Sequence, residues 1–195
     1  MPKIIWCGNK SWDTNFPENT LPNNAKLIER PDNIFKSSIP YGILPLIFSY
    51  AIIWIKWFII DERAMNPIYV PLGIILGLLL MPVHELLHGV CYKKGQKVYI
   101  GICLKKFAAF AVCHEPISKR RFIMMSLMPM LLGIMPLAIF LLSPPNAVLS
   151  GICIPMGIIG MLYPMPDYMD VHIICKQVPK GAFVHTQNDG FYWYK

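Results

Sequence analysis

The sequence predicts an all-α membrane protein, with four transmembrane helices and a small cytoplasmic β-hairpin between helices 2 and 3. Three observations lead there. Hydrophobic residues make up 55% of the chain and charged residues only 15%, with a mean hydropathy of +0.46, a membrane-like balance. The apolar residues gather into four runs about as long as a bilayer crossing requires. The charges gather between those runs, so the net charge of +7 reads as a set of topology determinants. Nucleic-acid binding is not expected.

Residues 1–38 form a polar arm punctuated by Pro17, Pro22 and Pro31 and rich in Asn and Thr. They read as extended or loosely ordered. No secretory leader is expected there, because Ile4-Ile5-Trp6 is too short for an apolar core. The four-helix transmembrane domain occupies 39–166. Its first span, about 41–60, carries one charge, Lys56, beside Trp54 and Trp57. At the far end of the helix that ammonium can snorkel to the interface.

A short polar turn at 61–67 leads to the second span, about 68–92. Gly73 and Gly77 form a small-x-x-x-small pair suited to close helix packing. Pro82 weakens or kinks the helix and leaves a carbonyl near residue 78 needing another partner. The loop 93–121 follows, with Val98–Leu104 and Phe107–Cys113 reading as two strands around a Lys105-Lys106 turn. The third span, about 122–142, is interrupted by Pro129 and Pro136. After Ser143-Pro144-Pro145-Asn146 comes the fourth, about 147–165, with Gly151, Gly157 and Gly160 permitting close approach. Residues 167–195 are a polar tail ending in Phe191-Tyr192-Trp193-Tyr194.

Four spans put both termini on one side. Lys and Arg number five in the arm, eight in the 93–121 loop and three in the tail, against one in the 61–67 turn and none at 143–146. The positive-inside rule then predicts a multi-pass cell-membrane protein with arm, long loop and tail in the cytoplasm. The six cysteines fall at irregular spacings without a C-x-x-C pair. Reduced, small core residues are the expectation.

Chemistry concentrates in Met81-Pro82-Val83-His84-Glu85-Leu86-Leu87-His88-Gly89. His84 and His88 lie four residues apart, on one face of a helix. H-E-x-x-H at this spacing lets two imidazoles hold one Zn²⁺ while Glu85 serves as general base to a zinc-activated water. With five histidines in 195 residues, and as many glutamates, the pattern arises by chance in about three of a thousand such chains. Catalytic zinc commonly takes three protein ligands. Under the four-span topology the fourth helix ends at Asp167, at the same membrane level as the histidines. Asp167 is therefore the first candidate for the third ligand. Asp170, one turn further on, is the next, as ligand or as a group supporting one. Cys113-His114-Glu115, late in the 93–121 loop, is a weaker candidate because Pro116 disfavours a helix there, and His172 and His185 are expected to face solvent.

Three stretches together resemble the putative zincin peptidase family, small integral-membrane proteins of bacteria carrying a domain of unknown function. They are His84–Gly89; Phe107-Ala108-Ala109-Phe110-Ala111-Val112-Cys113-His114-Glu115-Pro116; and the tail Asp167-Tyr168-Met169-Asp170-Val171 with Gln177-Val178-Pro179-Lys180-Gly181-Ala182 and Tyr192-Trp193. The likeness covers about residues 40–195. It implies His84, His88 and Asp167 as metal ligands and Glu85 as base. One departure is Pro166-Asp167, where the family usually has Gly-Asp. A wider likeness is to site-2 proteases, which implies that the strands at 98–113 hold an extended substrate.

The expectation that follows is a membrane-embedded zinc metallopeptidase. It acts on a peptide or membrane-protein substrate at or in the cytoplasmic membrane face. The competing expectation is a non-catalytic membrane protein with a structural or vestigial metal site.

Overall fold

A computed structural model describes residues 1–10, 14–60, 65–106 and 108–195. Most of the 61–67 turn and Phe107, which opens the second expected strand, therefore lie outside the described residues. In chain order the elements are β1 (Lys3–Asn9), β2 (Lys26–Leu27), α1 (Ile34–Ser38), α2 (Ile43–Ile60), α3 (Val70–Leu79), α4 (Met81–Val90), β3 (Lys97–Cys103), β4 (Ala108–Val112), β5 (Ile117–Ser118), α5 (Lys119–Leu127), α6 (Leu131–Leu142), α7 (Ala147–Leu162), α8 (Met165–Gln177), β6 (Phe183–Gln187) and β7 (Gly190–Tyr194). Four helical stretches are long and apolar enough to cross a membrane: Ile34–Ile59, Pro67–Val90, Lys119–Leu142 and Ala147–Gln177.

The all-α expectation needs correcting. The described residues include seven strands in two sheets, where one small hairpin was expected. The hairpin exists as β3 and β4, but the arm and the tail supply the rest. Strand β1 joins β3 in parallel register, Lys3 opposite Lys97 and Trp6 opposite Ile100. The resulting sheet has the order β1-β3-β4. A second sheet runs β2-β7-β6-β5, so arm residues 26–27 also find a strand to pair with. The arm is thus ordered by ladder bonds to residues distant in sequence, which a local reading of its Pro- and Asn-rich composition does not see.

The chain divides into two compact units. One comprises Met1–Ile34, Met81–Met128 and Asp167–Lys195. Its core draws on both sheets and the helices beside them: Ile28, Val98, Ile100, Ile117, Phe122, Ile174 and Val184 are each at most 3% exposed. Helix α4 lies close over β3 because residue 89 has no side chain. A Cβ there would meet Ile100 at 3.0 Å. At its far end α8 is capped by Lys119, whose ammonium donates to the carbonyls of Cys175 and Val178.

The other unit comprises Phe35–Leu80 and Pro129–Pro166. Its helices approach closely at small residues. A Cβ on Gly160 would lie 2.6 Å from the Gly133 nitrogen, so α6 and α7 pack nearly backbone to backbone. Gly73 meets Ile152 and Pro155 of α7, and Gly77 meets Ile159, as the small-residue spacing predicts. Lys56 does not snorkel. It is 3% exposed and donates to the carbonyls of Phe140 and Ser143, satisfying C-terminal carbonyls of α6 that have no helical partner. The helix predicted to weaken at Pro82 is interrupted at Leu80. There α3 gives way to α4, and Pro82 sits in the first turn of α4, where a missing N–H costs nothing. Apolar side chains such as Leu44, Phe58, Ile68 and Leu142 remain largely exposed, a surface suited to hydrocarbon rather than water.

Candidate metal centre

Helix α4 carries His84 and His88 one turn apart, and both imidazoles are buried. Their Nε2 atoms point at each other across 3.0 Å. Helix α8 brings Asp167, in its first turn, to the same place. Its Oδ2 lies 3.2 Å from His84 Nε2 and its Oδ1 3.4 Å from His88 Nε2. One ligand atom from each residue thus falls within 4.8 Å of the others. Among the described residues this is the one such cluster of three or more His, Cys, Asp or Glu.

Those separations fit a zinc ion. Bonds of about 2.0–2.2 Å at tetrahedral angles put neighbouring ligand atoms roughly 3.3–3.6 Å apart. The three edges, 3.0, 3.2 and 3.4 Å, fall at or just under that range. The ring of His88 is oriented from behind. Its Nδ1 lies 3.1 Å from the Met125 carbonyl, which accepts only, so the proton resides on Nδ1. Nε2 is then the nitrogen available to a metal, and it faces the other candidate ligands. A backbone carbonyl holding the far nitrogen in this way is the usual support of a metal-binding histidine.

Glu85 occupies a different position. Its Oε1 is 3.9 Å from His84 Nε2, outside the three-ligand cluster yet close enough for a small molecule beside the ligands to touch its carboxylate. Its side chain is 11% exposed and that of Asp167 20%. The backbone amide of Ala111, on β4, also approaches the Glu85 carboxylate. Strand β4 is the edge of its sheet.

The other candidate residues lie elsewhere. Asp170 is not at the cluster. Both its oxygens are taken by Arg30, with Nε to Oδ1 at 3.0 Å and Nη2 to Oδ2 at 2.8 Å. His114 is buried and donates from Nδ1 to the Thr186 carbonyl at 2.8 Å. His185, expected to face solvent, is 2% exposed. It lies in β6, where its Nε2 donates to the His114 carbonyl at 3.0 Å. Burial pushes its pKa down, so it is neutral. His172 is exposed. Four cysteines are buried, but Cys7 is only partly so and Cys175 is exposed. Burial pushes the Cys113 thiol up to about 12, which keeps it protonated and a poor metal ligand.

Sequence reasoning missed Arg30 and the tail hairpin. Arg30 carries no local signal. The hairpin did, because Asn188-Asp189 between Phe183–Gln187 and Gly190–Tyr194 is a two-residue loop of the residue types such turns prefer.

Compared with known proteins, residues 77–183, more than half the chain, match the model of a family described as a putative zincin peptidase. No curated protein and no solved structure matches the chain.

Proposed function

The chain belongs to the putative zincin peptidase family, and from that premise we propose that it is a membrane-embedded zinc metallopeptidase. Its substrate is a peptide or membrane protein cleaved at or in the cytoplasmic face of the bilayer. The observation that carries the proposal is the convergence of His84, His88 and Asp167 with Glu85 held just outside them. His84 and His88 would hold the ion through Nε2 and Asp167 through a carboxylate oxygen. Zinc bound there supplies Lewis acidity, polarising a carbonyl and lowering the pKa of water towards about 7.

The remaining steps belong to the chain's own groups. Glu85 accepts a proton from the attacking water and then delivers it to the departing amine, so each bond broken is matched by one formed. The Met125 carbonyl keeps His88 in the ligating tautomer throughout. Strand β4, the sheet edge beside Glu85, offers backbone hydrogen bonds to an extended substrate. Such a substrate must be unwound before cleavage, because a helix hides its carbonyls within its own ladder.

Glu85→Gln is the decisive variant. It should retain about one zinc per chain and lose at least 10³-fold in hydrolysis of any substrate identified for the wild type. Normal cleavage by this variant would exclude the mechanism. Zinc bound by a wild-type chain that cleaves nothing would favour a structural metal site.

A further inference from the structure

Helix α8 presents Asp167, Asp170, Ile174 and Gln177 at intervals of three and four residues, one continuous face. A short piece of the N-terminal arm lies along that face. Ile28, 2% exposed, is inserted in the core, and its amide donates to the Phe191 carbonyl at 2.8 Å. The Glu29 backbone pairs twice with the Gln177 carboxamide. Its amide donates to Oε1 at 2.9 Å, and its carbonyl accepts from Nε2 at 2.8 Å. Arg30 then forks onto Asp170, one turn from Asp167, with its guanidinium 4.2 Å from the Phe191 ring centre.

We propose that Arg30 is a positioning residue for the metal centre. With Glu29 it straps α8 in the rotation that aims Asp167 between His84 and His88. The proposal rests on the metal reading above and adds a component to it. A rotation of α8 by 20° about its axis moves a carboxylate some 6 Å off that axis by about 2 Å, enough to take Asp167 out of bonding range. A single hydrogen bond would leave such a rotation soft. A bidentate fork, plus a second pairing at Gln177 two turns away, fixes the helix at two points on the face that carries the ligand. The same fork occupies both oxygens of Asp170. That carboxylate is thereby engaged away from the ion.

The test uses the full chain purified in detergent, with Zn²⁺ or Co²⁺ alone as the probe. Arg30→Met should weaken zinc binding about 10- to 100-fold in chelator competition. It should also shift the visible absorption bands of the Co²⁺-loaded protein, which report ligand geometry and not stability. Arg30→Lys keeps the charge without the fork and should recover only part of the loss. Asp170→Asn should weaken zinc binding similarly. The double variant Arg30→Met/Asp170→Asn should be no worse than the poorer single one, because both break one contact.

Wild-type zinc affinity and Co²⁺ bands in Arg30→Met, or fully additive losses, would overturn the proposal while leaving the metal centre intact. Failure of the wild type to bind zinc would remove both. If Arg30→Met does not fold, hydrogen exchange of the wild type decides. Coupling is reciprocal, so zinc should slow exchange of the Glu29 amide, and unchanged exchange would overturn the strap.

Discussion

At the scale of single residues, the proposed chemistry rests on three candidate ligand atoms and one candidate base, and each makes a separate prediction. His84→Ala should purify without zinc, and Asp167→Asn should hold it too weakly to survive dialysis. Asp170→Asn should still fill at excess zinc, a contrast read directly by metal analysis. Imidazole must be neutral to ligate, so zinc should dissociate as the pH falls below about 6 and rebind on neutralisation. The H-E-x-x-H pair was fully legible because its signal is a spacing within one helical turn. Asp167 was legible only through counting spans and matching ends. The choice between Asp167 and Asp170 was left open by that counting, since three residues along a helix return to the same face. What separates them in the fold is Arg30, 140 residues from Asp170 in sequence, which no local pattern ties to either.

At the scale of elements, apolar periodicity and small-residue spacing made the helices readable, because these features act within a helix or between neighbouring ones. The strands of the arm and tail were harder. Parallel pairing of Lys3–Asn9 with a strand that starts at Lys97 leaves no turn signal, and β2 is two residues long. The helical packing carries its own predictions. Lys56→Met keeps the volume but leaves the carbonyls of Phe140 and Ser143 without their cation. It should cost about 1–3 kcal/mol and lower the thermal midpoint in detergent. Gly160→Val should destabilise by a similar amount or more, since the Gly133 backbone has nowhere to retreat.

At the scale of the whole molecule, the distribution of Lys and Arg supports a cytoplasmic arm, loop and tail. A fluorescent protein fused after Lys195, which matures only in the cytoplasm, should glow in every cell expressing the fusion. A dark but membrane-inserted fusion would reverse the orientation. The unit that houses the candidate metal centre is assembled from Met1–Ile34, Met81–Met128 and Asp167–Lys195, three stretches separated by the helices of the other unit. This discontinuity has a consequence for the chain as it is being made. Strand β1 emerges from the ribosome long before β3 exists to pair with it, and the histidines emerge some eighty residues ahead of Asp167. The β1-β3-β4 sheet can close once Val112 has been made, but the ligand set cannot close until the last apolar helix has delivered Asp167. A chain stalled or truncated before Asp167 carries the H-E-x-x-H pair without the third candidate ligand, so under the proposed function such a copy would not yet hydrolyse proteins.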